Sequence, residues 1–159
     1  MNEGQVFTSD YIVGVSVFII VFSACIFFWE NTSARSTNNF MLQEMRNTAS
    51  RTIDHLVEVP GRPSNWEDNP GYAEVVGLSS GYGMVSADKF HALSSMEYGI
   101  LREYLGVGNY QVYLRLKKTD GLLVDDAGLM PQDAHVVSVR RFCVLDNQSV
   151  VLEVLLWDG

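Results

Sequence analysis

The sequence predicts an α+β protein: a long N-terminal membrane-spanning helix packed by its C-terminal half on an antiparallel sheet of about four strands, plus one further helix. Three observations carry this prediction. An uncharged apolar run from Tyr11 to Trp29 is followed from Asn39 by a second stretch with helical spacing; the C-terminal half of the chain alternates with period two in three places; and one capped helical pattern lies between them. Of the 159 residues, about 130 remain once the span is set aside, the size of one ordinary globular domain. The expected division is a leader and cleavage region over 1–10, a transmembrane helix over 11–29, and a globular head over 30–159 that includes the C-terminal half of the long helix.

A helix of about 19 residues, rising roughly 1.5 Å per residue, just reaches the thickness of a bilayer's hydrocarbon layer. A cleaved secretory signal would carry a basic segment before the apolar run and a small-residue site after it. Here Phe27-Phe28-Trp29-Glu30 ends the run, and no Lys or Arg precedes it. The helix is therefore read as retained. From Asn39 to Val57, Phe40, Met41, Met45, Ala49, Ile53, Leu56 and Val57 recur every three or four residues, with Gln43, Glu44, Arg46, Arg51, Asp54 and Glu58 on the other faces. Pro60-Gly61-Arg62-Pro63 stops this pattern. The polar stretch Asn31 to Asn39 between the two is either continuous helix or a flexible break.

Trp66, in the turn-rich loop Pro63 to Gly71, is expected to plug the edge of the core. Glu74 to Leu78 and Met84 to Ser86 read as short strands around a glycine-rich turn, Ser79 to Gly83, which lacks the Gly-Lys-Ser/Thr ending of a phosphate loop. The further helix starts at Ser86 or Asp88, stops at Gly106, and carries Phe90, Leu93, Ile100, Leu101, Tyr104 and Leu105 as its stripe. Tyr110 to Leu116 is the clearest strand, with Tyr110, Val112, Leu114 and Leu116 on one face. Val136 to Leu145 and Val150 to Trp157 are two more, joined through Asp146 to Ser149. Thr119 to Asp133 reads as a connection with its own hairpin turn.

The formal net charge of −8 argues against nucleic acid and anionic lipid headgroups, which select Lys/Arg patches. Cys25 in the span and Cys143 in a strand are not expected to pair. His55, His91 and His135 lie in different elements and make no metal-spaced pair, and no nucleophile elbow is present. Neither a catalytic set nor a cofactor or metal site is predicted. Asp120, Asp125 and Asp126 lack the glycine and late glutamate of a calcium loop, which leaves a solvated loop as the default. Asn31-Thr32-Ser33 and Asn147-Gln148-Ser149 are glycosylation sequons. Asn147 is the usable one if the head faces outward, since Asn31 adjoins the membrane.

Gly4-Gln5-Val6-Phe7-Thr8 before an uninterrupted apolar helix resembles the class III signal peptide of archaeal type IV pilin-like proteins. The similarity extends through Pro60 to Trp66, Ala92 to Met96, Leu105 to Tyr110 and Arg140-Arg141-Phe142, and is closest to minor pilin or pseudopilin-like members of largely unassigned role. The resemblance implies that a prepilin peptidase cuts between Gly4 and Gln5 while the helix stays on the mature chain. It implies other pilin-like subunits, identical or different, as partners besides membrane lipid, and a single-pass protein with its head outside the cell. Asp10, Tyr11, Phe18, Phe22, Phe27 and Trp29 are the expected assembly residues. Two features depart from the family pattern: Asn2 and Glu3 stand where Lys or Arg is usual, and the acid at Asp10 is one place later than the glutamate of bacterial pilins.

Withdrawn from lipid into a filament, the apolar helix would exchange acyl chains for identical helices. Asp10 would then need a partner, such as the amine of a neighbour's Gln5; as an interfacial helix N-cap it would need none. The expected function is that of a pilin-like structural subunit of a filament or secretion apparatus, without catalysis. The alternative is a bitopic membrane protein whose head binds a partner or ligand without polymerising. Arg35, Arg46 and Arg51 follow the span, and by the positive-inside rule alone they would hold the head in the cytoplasm.

Overall fold

A computed structural model describes residues 3–132 and 135–159 of the chain. Two compact units divide it, Met1–Met41 and Leu42–Gly159. Helix α1 is Glu3–Glu58, so the polar stretch after the span is helical rather than a break. In the first unit α1 carries an apolar segment, Asp10–Thr32, of mean hydropathy 2.6 with none of it buried.

The second unit, the head, is α+β. After α1 come two 3-10 turns, Trp66–Asp68 and Pro70–Tyr72, then β1 (Ser79–Gly81), β2 (Met84–Val85), α2 (Ala87–Ser94), α3 (Tyr98–Leu105), β3 (Gln111–Lys118), β4 (Leu123–Gly128), β5 (Val137–Leu145) and β6 (Gln148–Trp157). The sheet order is β1-β2-β5-β6-β3-β4. All neighbours run antiparallel except β2 and β5, which are parallel at Met84 and Val144.

Four expectations are corrected here. The sheet has six strands, because the glycine-rich stretch read as a turn supplies β1 and the Thr119 to Asp133 connection supplies the edge strand β4, and it is mixed because β2 runs parallel to β5. Asp133 itself lies outside the described residues. Glu74 to Leu78 is no strand beyond one bridge, Arg62 to Val75. The further helix is two helices. Ser86 caps the first, its Oγ accepting from Lys89 N, but Ser94 Oγ and Ser95 Oγ both donate to His91 O at 2.9 Å. Ser95 N still reaches His91 O at 3.1 Å, but Met96 N turns back to Leu93 O at 3.2 Å and Glu97, at φ −59 and ψ 137, leaves the helical region, so the chain breaks before restarting. Gly106, at φ 61, ends α3 as expected.

The stripe on α1 is only half used within the head. Met45, Ala49, Ile53 and Leu56 are buried, whereas Phe40 and Met41, in the first unit, are exposed. The buried four share one core with Phe90 and Leu93 of α2, Leu101 and Leu105 of α3, and the inward residues of the sheet: Val112, Leu114 and Leu116 on β3, Val137, Cys143 and Leu145 on β5, and Val150, Leu152, Val154 and Leu156 on β6. Tyr110, expected on that face, falls just outside β3 and packs at the core's margin. Polar ties reinforce the packing: Thr52 Oγ1 donates to Leu105 O at 3.2 Å, and Arg141 grips Asp54 through Nε and Nη2 at 2.7 and 3.2 Å.

Trp66 does close the core. It is fully buried, and its Nε1 donates to Gly77 O at 2.9 Å. Gly77 has no room for a side chain, since a Cβ there would overlap Val59 O. Trp66→Ala is expected to destabilise the head by about 3–5 kcal/mol, and Phe142→Ala, at an open surface position, by under about 0.5 kcal/mol. Thermal unfolding of the detergent-solubilised chain, followed by near-ultraviolet circular dichroism, measures both.

Candidate functional site

The residues predicted to mediate assembly lie on a bare helix. Tyr11, Phe18, Phe22, Phe27 and Trp29 are all exposed, and Trp29 is the most open at 76%. Phe18 and Phe22 stack one turn apart, ring centroids 5.9 Å. Phe27 and Phe28 meet edge to face at 6.2 Å. Ser16 returns its hydroxyl proton to Ile12 O at 2.8 Å, which satisfies that side chain without a partner helix. Gly4 and Gln5 lie within helical backbone, since α1 begins at Glu3; their side chains are outside the described residues. That early start also removes the N-cap reading of Asp10. The acid sits a further two turns along the helix, exposed, and no salt bridge engages it among the described residues.

On the head, the distinctive feature is an acid that sequence reasoning missed. Alternation along β6 sends Leu152 and Val154 inward, and therefore Glu153 to the opposite face of the sheet. Its side chain is only 3% exposed. Register places Arg140 of β5 on one side of it and Arg115 of β3 on the other. Arg115 Nε donates to Oε2 at 2.7 Å, Arg140 Nε to Oε1 at 2.8 Å and Ser138 Oγ to Oε1 at 2.6 Å, while Lys117 Nζ lies 3.6 Å from Oε2. Burial pushes the Glu153 carboxyl up, but the hydrogen bonds from Arg115, Ser138 and Arg140, with the Arg115 charge, outweigh it and hold the group at about 2. The signal in the sequence was a single charge inside the apolar run Val150 to Trp157. Beside the cluster Tyr113, Leu155 and Trp157 form a second small apolar group, and Tyr113 donates to Asp126 Oδ2 at 3.1 Å.

A second missed residue is Lys89, a buried cation in α2. Its Nζ donates to Pro60 O at 2.6 Å and Ser79 O at 3.3 Å, tying α2 to the exit of α1 and the start of β1.

The remaining candidates stay apart. Among the described residues no group of three or more His, Cys, Asp or Glu side chains is placed to hold a metal. His91 Nδ1 is 3.8 Å from Asp125 Oδ2, and His55 and His135 are exposed elsewhere. Each acid of the Asp120, Asp125 and Asp126 set has its own local bond: Asp120 accepts from Leu122 N and Asp125 from Asp126 N, at 2.9 and 2.8 Å, and Asp126 holds Tyr113. Cys25 and Cys143 are free thiols. Asn147 is exposed in the two-residue turn between β5 and β6, where Asp146 and Asn147 both have positive φ, the geometry of a tight hairpin.

Compared with protein-family models, curated proteins and solved structures, the chain matches none.

Glu153 has a folded value below its ordinary 4.5, so its stabilisation is complete above that value and is lost as pH falls through it toward 2. The contribution is up to about 3 kcal/mol. Glu153→Gln is therefore expected to lower stability at neutral pH and to flatten the decline that the wild type shows between about pH 5 and pH 2. Urea unfolding across that window measures the difference.

Proposed function

We propose that this chain is a membrane-anchored, pilin-like structural subunit of a type IV pilus-like surface filament or secretion apparatus, assembling through its hydrophobic N-terminal helix with its head outside the cell. The observation that carries the reading is the uncovered segment Asp10–Thr32: 23 residues, mean hydropathy 2.6, with no protein packed on it. At about 1.5 Å per residue it matches a hydrocarbon layer of about 30 Å with slight tilt. In water this surface has no stable place, so it belongs to lipid or to other helices. Gly4-Gln5 ahead of it supports the processing route, because cleavage there leaves a free amine one turn and a half from Asp10. In a bundle of such helices a carboxylate is tolerated only when paired, and that amine on a neighbouring subunit is the partner supplied by the chain's own chemistry.

A second reading, a bitopic protein whose head binds a partner and never polymerises, is favoured by Arg35, Arg46 and Arg51 after the span. Its leader stays uncut.

Mass spectrometry of the mature chain from its native membrane distinguishes the two. A chain beginning at Gln5 is the expected result, and an intact Met1 supports the second reading. In the processed protein, Asp10→Asn is expected to reduce subunit association about tenfold or more in native gels of the detergent extract, as the loss of one buried charge pair implies. Unchanged association removes the proposed pairing.

A further inference from the structure

The sheet of the head is open along two edges, and the two match. β4 is its last strand, six residues long, with β3 on one side only. β5 is bordered on its outer side by β2 at Val144 alone, so among the described residues its stretch 137–142, of the same length, has no strand beyond it. Alternation fixes which backbone groups face out. Leu129 N donates to Val112 O, so Asp126 and Gly128 turn their N–H and C=O away from β3; Val144 N donates to Gly83 O, so Phe142, Arg140 and Ser138 turn theirs away from β6. At the centre of each edge a side chain of the same strand stands in for a partner: Asp126 N donates to Asp125 Oδ1 at 2.8 Å, and Arg141 Nη1 donates to Arg140 O at 3.4 Å. Both edges expose large apolar side chains, Leu123, Val124 and Leu129 on one and Phe142, at 80%, on the other. An edge of this kind is a template for another strand.

We propose that β4 of one copy adds to the open edge of β5 of the next, antiparallel, with Asp126 opposite Arg140. This register matches the chemistry on both faces of the sheet. Away from the helices it sets Asp126 against Arg140 and Val124 against Phe142; on the helical face it sets Asp125 against Arg141, Ala127 against Val139 and Leu129 against Val137. It also makes Asp126 with Arg140, and Gly128 with Ser138, the pairs that exchange backbone hydrogen bonds. Glu153 holds Arg140 by Nε, and among the described residues its terminal amino groups donate no hydrogen bond, so they are free to meet Asp126. Charge disfavours the self-pairings: β4 on β4 brings aspartates together, and β5 on β5 arginines. Direction favours the mixed one. Within a head β4 runs opposite to β5, because the pairings that separate them are all antiparallel. Two heads in one orientation therefore meet β4 to β5 antiparallel without either being turned over. Different surfaces joined in this way extend into an open row instead of closing as a dimer. The inference rests on the subunit reading above, which gives anchored heads their common orientation and raised effective concentration.

The test uses the full chain with Cys25→Ser, in the membranes of the producing cells, oxidised with copper phenanthroline; Cys143 is buried and stays out of reach. Val124→Cys together with Phe142→Cys is expected to give a disulfide ladder on non-reducing gels. Within one head β6 and β3 hold these positions about 14 Å apart, against a disulfide's reach of about 7 Å, so the bond forms only between copies. Each single variant, and the off-register pair Val124→Cys with Ser138→Cys, is expected to give no ladder. Adding Asp126→Asn, which keeps an acceptor for Tyr113, is expected to weaken the ladder about threefold, as the loss of one cross-strand ion pair implies. No ladder from the in-register pair, a dimer from either single variant, an equal ladder from the off-register pair, or a ladder unaffected by Asp126→Asn overturns the contact. Native gels of the wild-type detergent extract separate the two levels of failure: association without a ladder overturns this contact and leaves the subunit reading standing, while neither association nor a ladder overturns both.

Discussion

Strand β6 sends one acid, Glu153, to the face opposite its core residues, and the head is arranged around that placement. Val150, Leu152, Val154 and Leu156 face the helices and are buried to within 1%. Glu153, between two of them, faces the other way and collects Arg115, Ser138 and Arg140 from the strands on either side. Because β6 is hydrogen-bonded on both edges, to β5 and to β3, it sets the register of both neighbours at once. The helical layer then has one surface on which to pack, and α1, α2 and α3 all contribute to the same core.

Polar groups do the work at the seams, where apolar packing has no partner to offer. Lys89 joins the carbonyls of Pro60, just after α1, and Ser79, at the start of β1, and Tyr104 Oη donates to Ala73 O at 2.6 Å to hold the 3-10 segment against α3. Tyr98 does the same at the start of β3, donating to Gln111 Oε1 and accepting from Val112 N. Each of these side chains carries an apolar body with a polar tip. That is the composition required where a helix end meets a strand end and both have unpaired backbone groups.

The parts of this fold legible in the sequence are those fixed by local periodicity. Three of the long strands, the cap at Ser86, the stop at Gly106 and the plug at Trp66 all follow from spacing and residue type. What escaped was set by partners distant in the chain. Leu123 to Gly128 looks like a loop because Asp125, Asp126 and Gly128 are poor strand formers, and it becomes a strand only because β3 offers an edge to pair with. β1 needed β2 and, through it, β5. The split between α2 and α3 turns on the non-helical backbone of Glu97, which a hydrophobic stripe does not register. At the candidate sites the span was legible from composition alone. Glu153 was not, because its meaning depends on register with Arg115 and Arg140, 38 and 13 residues away.

Register also explains why an acid stands in the middle of the most apolar strand. A slip of one residue between β6 and its neighbours would turn every side chain of β6 to the other face, exchanging Leu152 and Val154 for Glu153 beneath the helices. Most of the other residues in Val150 to Trp157 are apolar and would tolerate either face, so hydrophobicity alone distinguishes the two registers weakly. Glu153 makes the distinction sharp. In the slipped arrangement its carboxylate would face the apolar core, and Arg115 and Arg140 would lose their shared acceptor, a penalty of several kcal/mol. The native register satisfies all of them at once. The buried acid thus specifies which apolar face is the core, and the same bond that locks the register leaves the Arg140 guanidinium oriented on the open side of the sheet.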